Sequence, residues 1–141
     1  MTGNFLGTIR TLDYDKLGRL QHDRVTGLGS GVDFTIMRIT RTYDNRGLLQ
    51  KLTSYNNQNP GSGTILDEVQ YAYDGFALLV TEYQSHLFAA NPSTTPKVQY
   101  AYTDGSHNHA RRTSITHPDG TVLTYEYGSA GGADDVLNRV K

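Results

Sequence analysis

The sequence predicts an all-β fold built from antiparallel β-hairpin repeats. Three observations predict it: Tyr-Asp pairs recur at a nearly constant interval, the segments before them alternate with period two, and 15 glycines punctuate the chain. Ten Tyr against four Phe and no Trp, with 36% hydrophobic residues overall, favour short strands with half-wet faces over a dense aliphatic core. At 141 residues the chain is long enough for one domain.

The repeat is carried by its anchors. Tyr14-Asp15-Lys16-Leu17-Gly18-Arg19-Leu20 aligns with Tyr43-Asp44-Asn45-Arg46-Gly47-Leu48-Leu49 and with Tyr73-Asp74-Gly75-Phe76-Ala77-Leu78-Leu79. Tyr102-Thr103-Asp104-Gly105 and Tyr127-Gly128 are weaker fourth and fifth copies, so the anchors lie 29, 30, 29 and 25 residues apart. Asp135-Val136-Leu137-Asn138-Arg139-Val140 repeats Asp15 to Leu20 as a partial sixth copy, with Asn138 in the place of Gly18. Asn is the residue that best replaces Gly at positive φ. Stopping inside a repeat predicts a piece of a longer array, since arrays end in atypical caps.

Strands follow from the alternation. Val69, Tyr71 and Tyr73 oppose Glu68, Gln70 and Ala72. Val98, Tyr100 and Tyr102 oppose Lys97, Gln99 and Ala101, and Leu123, Tyr125 and Tyr127 oppose Val122, Thr124 and Glu126. This period places the tyrosines on one face and predicts one packed and one wetter face. After each anchor, the Asp side chain starts a tight turn, which Gly18 and Gly47 close at positive φ. Return strands are expected over 19–25, 48–55, 78–86 and 111–117, with Pro118-Asp119-Gly120 turning into 121–127. The third copy, with Gly moved to Gly75 and Ala77 in its place, and the fourth, with Thr103 for Asp, are expected to turn differently. Segments 26–32, 56–63 and 89–96 are long loops by composition.

These residues resemble the rearrangement-hotspot (RHS) or tyrosine–aspartate (YD) repeat family. Tyr14-Asp15-x-x-Gly18-Arg19-Leu20, Tyr43-Asp44-x-x-Gly47-Leu48-Leu49 and Asp135-x-Leu137-Asn138-Arg139-Val140 carry the resemblance, and their spacing covers nearly the whole chain. It implies a continuous sheet that curves and spirals into a hollow shell, in proteins that are secreted or sit on the bacterial cell surface. Such shells enclose toxin or effector domains or mediate surface contact, and this chain would be wall rather than cargo. The family's self-cleaving core and variable toxin tail are absent from the 141 residues.

No catalytic constellation is read. There is no Gly-x-Ser-x-Gly elbow, and no pair of carboxylates falls in a plausible cleft. Without cysteine, thiol chemistry and thiolate metal sites are excluded. His107 and His109 with Asp104 lack a third convincing metal ligand. Asp13-Tyr14-Asp15 begins like a calcium loop but puts Leu17 at a ligand position and has no Glu at position twelve. Gly27-Leu28-Gly29-Ser30-Gly31 lacks the Lys-Ser/Thr of a phosphate loop. No cofactor is therefore expected.

The net charge of −1, with no basic patch, argues against nucleic acid. No apolar run reaches 18 residues, so no membrane insertion is expected, and the start lacks the features of a signal peptide. The expected partners are neighbouring repeats or a second copy joined through open sheet edges, with toxin cargo or a surface glycan as further possibilities. The one surface with ligand-binding reach is the face bearing Tyr71, Tyr73, Tyr100, Tyr102, Tyr125 and Tyr127. Its alternatives are cross-strand packing and stacking against sugar or peptide.

Overall fold

A computed structural model describes residues 7–102 and 110–141. Nine strands form one antiparallel sheet in which neighbours in sequence are neighbours in space. They are β1 (Ile9–Tyr14), β2 (Leu20–Gly27), β3 (Arg38–Tyr43), β4 (Leu49–Tyr55), β5 (Ile65–Tyr73), β6 (Leu79–His86), β7 (Lys97–Tyr102), β8 (Arg112–Thr116) and β9 (Val122–Thr124). A single helical turn, α1 (Ala133–Val136), follows. The all-β antiparallel expectation holds, and β2, β4, β6 and β8 begin within a residue of the expected return strands. The chain divides into two compact units, Met1–Tyr71 with Tyr83–Thr95, and Ala72–Glu82 with Pro96–Lys141.

The Tyr-Asp turns are uniform. Gly18, Gly47 and Ala77 each donate a backbone N–H to the carbonyl of the Asp three residues earlier, at 3.0, 3.0 and 3.2 Å. Each Asp N–H in turn bonds the carbonyl four residues on. The closing residues have φ of +76°, +89° and +65°. The third turn therefore does not differ from the first two: Ala77 takes the left-handed conformation, and Gly75 does not supply it. This turn leaves one extra residue at its base, and the pairing shifts register at Tyr14, Tyr43 and Tyr102. The fourth turn, including Thr103, Asp104, His107 and His109, lies outside the described residues.

In the first unit, one face carries a cross-strand polar row. Asp13 pairs with His22, His22 with Thr40, Thr40 with Thr53, and Thr53 with Glu68. The opposite face carries Leu12, Asp23, Ile39, Ser54 and Asp67 in the same register. The alternation does not say which face is packed, and in this unit the deepest burial falls on the polar one. Among the described residues no hydrophobic side chain is buried, whereas Arg38, Thr53 and Glu68 are each only 3% exposed. The cause is loop coverage, because long loops fold onto the polar face and are tied to it by charge. Arg38 donates to the carbonyls of Asn57 (3.0 Å), Asn59 and Ser62 (2.9 Å). Glu68 accepts from Lys51 (3.1 Å), Thr53 (2.9 Å) and the Ala90 N–H (3.0 Å). Buried charges of this kind survive only when each is paired and hydrogen-bonded.

In the second unit the tyrosines follow the alternation, although Leu123, on the face of Tyr125 and Tyr127, is 49% exposed and Lys97 is half-buried. Val98, Tyr100 and Tyr102 are half-buried while Gln99 and Ala101 are exposed. Tyr125 and Tyr127 are half-buried around an exposed Glu126.

Candidate functional site

The residues that define the repeat assemble into a clamp between successive hairpins. It begins with the Asp of the turn. Asp15 Oδ1 accepts the N–H groups of Leu17 (2.8 Å) and Arg19 (3.0 Å), and Oδ2 accepts the Arg19 guanidinium (2.7 Å). These bonds, led by the Arg19 N–H, hold the Asp15 carboxyl below the usual carboxylate range despite partial desolvation. Asp44 repeats this with Arg46 and Leu48, and Asp74 with Phe76 and Leu78. A short side chain that satisfies two backbone donors is what the turn demands of this position.

The Tyr of the next repeat closes the clamp. The Arg19 guanidinium, held by Asp15, lies 4.3 Å from the centre of the Tyr43 ring. The Tyr43 hydroxyl donates to the Leu20 carbonyl at 2.8 Å. Tyr102 likewise donates to the Leu79 carbonyl at 2.9 Å, and Tyr127 to the Arg112 carbonyl at 2.8 Å. Each hydroxyl thus reaches the first residue of the return strand of the preceding hairpin. Ring face and hydroxyl are both engaged, which suits the amphipathic character of tyrosine.

The fourth repeat departs in sequence but keeps the clamp. Arg111 stands where Arg19 stands in the first repeat, one residue before the carbonyl that receives the tyrosine, and its guanidinium lies 4.6 Å from the Tyr127 ring centre. Thr103 replaces the Asp that would hold it. The carboxylate comes instead from Asp135, which binds Arg111 and also accepts the Gly131 N–H at 2.8 Å. The pair is largely buried, at 8% and 12% side-chain exposure.

The C-terminal copy joins the fifth anchor. Asn138 has φ of +56° and donates to the Asp135 carbonyl at 3.2 Å, as Gly18 does to Asp15. Lys141 N–H donates to the Glu126 carbonyl at 2.8 Å. The stretch that follows α1 therefore turns back onto Glu126, next to the Tyr127 anchor. Arg139 pairs with Asp134 at 2.6 Å rather than with Asp135.

Of the six tyrosines for which packing and ligand stacking were the alternatives, Tyr102 and Tyr127 have hydroxyls committed to carbonyls. Tyr100 lies under the Arg112 guanidinium at 4.6 Å. Burial, and then the charge of Glu82, push the Tyr100 phenol above its usual range. Tyr71, Tyr73 and Tyr125 are half-buried.

The calcium-like start is occupied otherwise: Asp13 binds Arg24 while Asp15 binds Arg19. Among the described residues no group of three or more His, Asp or Glu could hold a metal ion. No helix there is long and apolar enough to cross a membrane.

Sequence reasoning missed Arg38, Glu68, Arg111, Arg112 and Asp135. A charge in an alternating strand reads as a solvated position, and nothing local marks which loop will cover it. No protein-family model matches the chain, and no curated protein matches it in sequence.

Proposed function

We propose that this chain is a non-catalytic structural module of an RHS/YD-type repeat protein that is secreted or displayed on a cell surface. It would supply part of a β-sheet wall that encloses or presents an effector, or mediates surface contact. The observation that supports this reading is the clamp. Tyr43, Tyr102 and Tyr127 each seat on a carbonyl of the repeat before their own, which fits repeats stabilised by neighbours rather than by a shared core. The polar groups at the clamp are consumed by one another, which fits a wall better than a reaction centre.

Two measurements test the reading. The flanking open reading frame is expected to encode further Tyr-Asp-x-x-Gly turns, and a frame without any overturns the assignment to a longer wall. Native-state hydrogen exchange on Tyr43→Phe is expected to show lost protection in β1 to β4 and unchanged protection in β7 to β9. A uniform loss would instead describe one cooperative domain. The arginine over Tyr100 and the committed hydroxyls of Tyr102 and Tyr127 favour packing over sugar stacking. Binding on a glycan array that Tyr71→Ala and Tyr100→Ala remove, with the fold intact, would replace the wall reading by a ligand face.

A further inference from the structure

On the covered polar face of the first unit, a histidine is joined by hydrogen bonds to the arginine that clasps a loop. Arg38 Nε donates to Thr40 Oγ1 at 3.1 Å, and the same oxygen lies 3.1 Å from His22 Nδ1. A guanidinium can only donate, so the threonine oxygen accepts from Arg38 and its own hydrogen is left for the ring nitrogen. That arrangement suits an imidazole whose Nδ1 is bare. Asp13 faces the ring from β1, Arg24 flanks it on β2, and Arg38 and Thr40 face it from β3. Beyond Thr40, β4 presents Thr53 and Lys51, and Lys51 is paired with Glu68. Arg24 already engages both oxygens of Asp13. Burial, and then the Arg38 charge, hold the ring below its usual range. The guanidinium end of Arg38 meanwhile ties the loop to the sheet through the carbonyls of Asn57, Asn59 and Ser62. Two further bonds, from the Asn59 N–H to Asn57 Oδ1 and from the Thr64 N–H to Asn56 Oδ1, stay within the loop at 2.8 Å each.

We propose that protonation of His22 releases the 57–62 loop from the polar face, which makes the loop a cover that acid opens. An imidazolium carries a hydrogen on both nitrogens, so Nδ1 becomes a second donor aimed at a hydroxyl that already accepts from Arg38. It also sets a third positive charge beside Arg24 and Arg38, while Asp13 stays committed to Arg24. Turning Arg38 away from Thr40 separates two of these cations and gives the loop carbonyls back to water. The coupling runs both ways: the closed loop holds the ring neutral, and the neutral ring holds the loop closed. The loop keeps its internal bonds and lifts as a unit, wetting Arg38, which is 3% exposed in the closed form. This device stands apart from the wall reading and does not depend on it.

Amide and side-chain NMR of the full chain, from about pH 8 to about pH 5, tests this. The His22 ring signals and the amides of 57–62 are expected to share one midpoint, below about pH 6.5. The Arg38 guanidinium carbon lies 4.0 Å from the centre of the Tyr55 ring. The ring-current shift of the Arg38 side-chain protons should therefore be lost at that same midpoint. His22→Gln keeps this position neutral and should leave the loop and Arg38 signals flat across the range. Asp13→Asn removes the facing carboxylate, whose charge favours the imidazolium. Both midpoints should then move down together. A loop that stays put while His22 titrates overturns the proposal. So does a loop response that survives His22→Gln, or one that stays behind when Asp13→Asn moves the ring midpoint. Loss of the β3 and β4 amides at the loop midpoint would overturn it as well, since that describes unfolding rather than the lifting of a cover.

Discussion

At the scale of single residues, the third turn holds a misfit. Ala77 at φ +65° does what Gly18 and Gly47 do, although a side chain there is crowded by the neighbouring carbonyl and costs about 1 kcal/mol or more. Ala77→Gly is therefore expected to raise stability by about 1 kcal/mol, read as a shift of the urea midpoint at constant slope. Tyr43→Phe is expected to lower it by about 1 kcal/mol, since it strands the Leu20 carbonyl. Titration adds a signed expectation. Burial, and then the charge of Arg38, push the His22 imidazole below its usual range, so the fold favours the neutral ring. A group whose folded pKa is depressed supports the fold above its unfolded value, about 6.5, and withdraws that support as pH falls below it. Asp13, held down mainly by its Arg24 hydrogen bond, and Asp119, held down mainly by the Thr121 N–H, behave alike below about pH 4. Stability should fall in two acid stages, and His22→Gln should remove only the upper one.

At the scale of elements, the loops decide where burial occurs. Arg38 grips 57–62 through three carbonyls, and its guanidinium lies 4.0 Å from the Tyr55 ring centre. Gly63, at φ +95°, lets that loop close: a Cβ there would come within 2.6 Å of Asn57 Cβ. Arg38→Ala is expected to cost about 3 kcal/mol, because hydrogen bonds to a charged group are the strong ones. Limited proteolysis should then cut within 56–64. The hairpins themselves were legible, because a period of two and an Asp-x-x-Gly turn are local signals. The alternation also put Tyr100 and Tyr102 on one face of β7, without saying that this face would be the half-buried one. The burial of Arg38, Thr53 and Glu68 on the polar face was not legible. Their shielding is imposed by loops distant in sequence, and alternation alone cannot say which face a loop will cover. Nor could spacing show that Tyr43 serves the repeat before its own, because that contact joins residues 23 apart.

At the scale of the whole molecule, the want of a buried apolar side chain among the described residues has a calorimetric signature. The heat capacity of unfolding comes mostly from newly exposed apolar surface. Much of that surface is already wet in the folded chain. Scanning calorimetry on the monomer should therefore return a heat-capacity change below the value of about 1.7 kcal/mol/K expected for 141 residues at about 12 cal/mol/K each. A value at or above that figure would mean that folding conceals far more apolar surface.

The carboxylate that Asp135 lends to Arg111 bears on how such a chain can change over generations. The charge that steadies a guanidinium need not be spelled beside its tyrosine, only delivered to it. Drift can thus erase a letter in one repeat and restore it in the next without freeing the ring. A search keyed to contiguous Tyr-Asp pairs would overlook the fourth repeat, although its Arg111 is seated as Arg19 is.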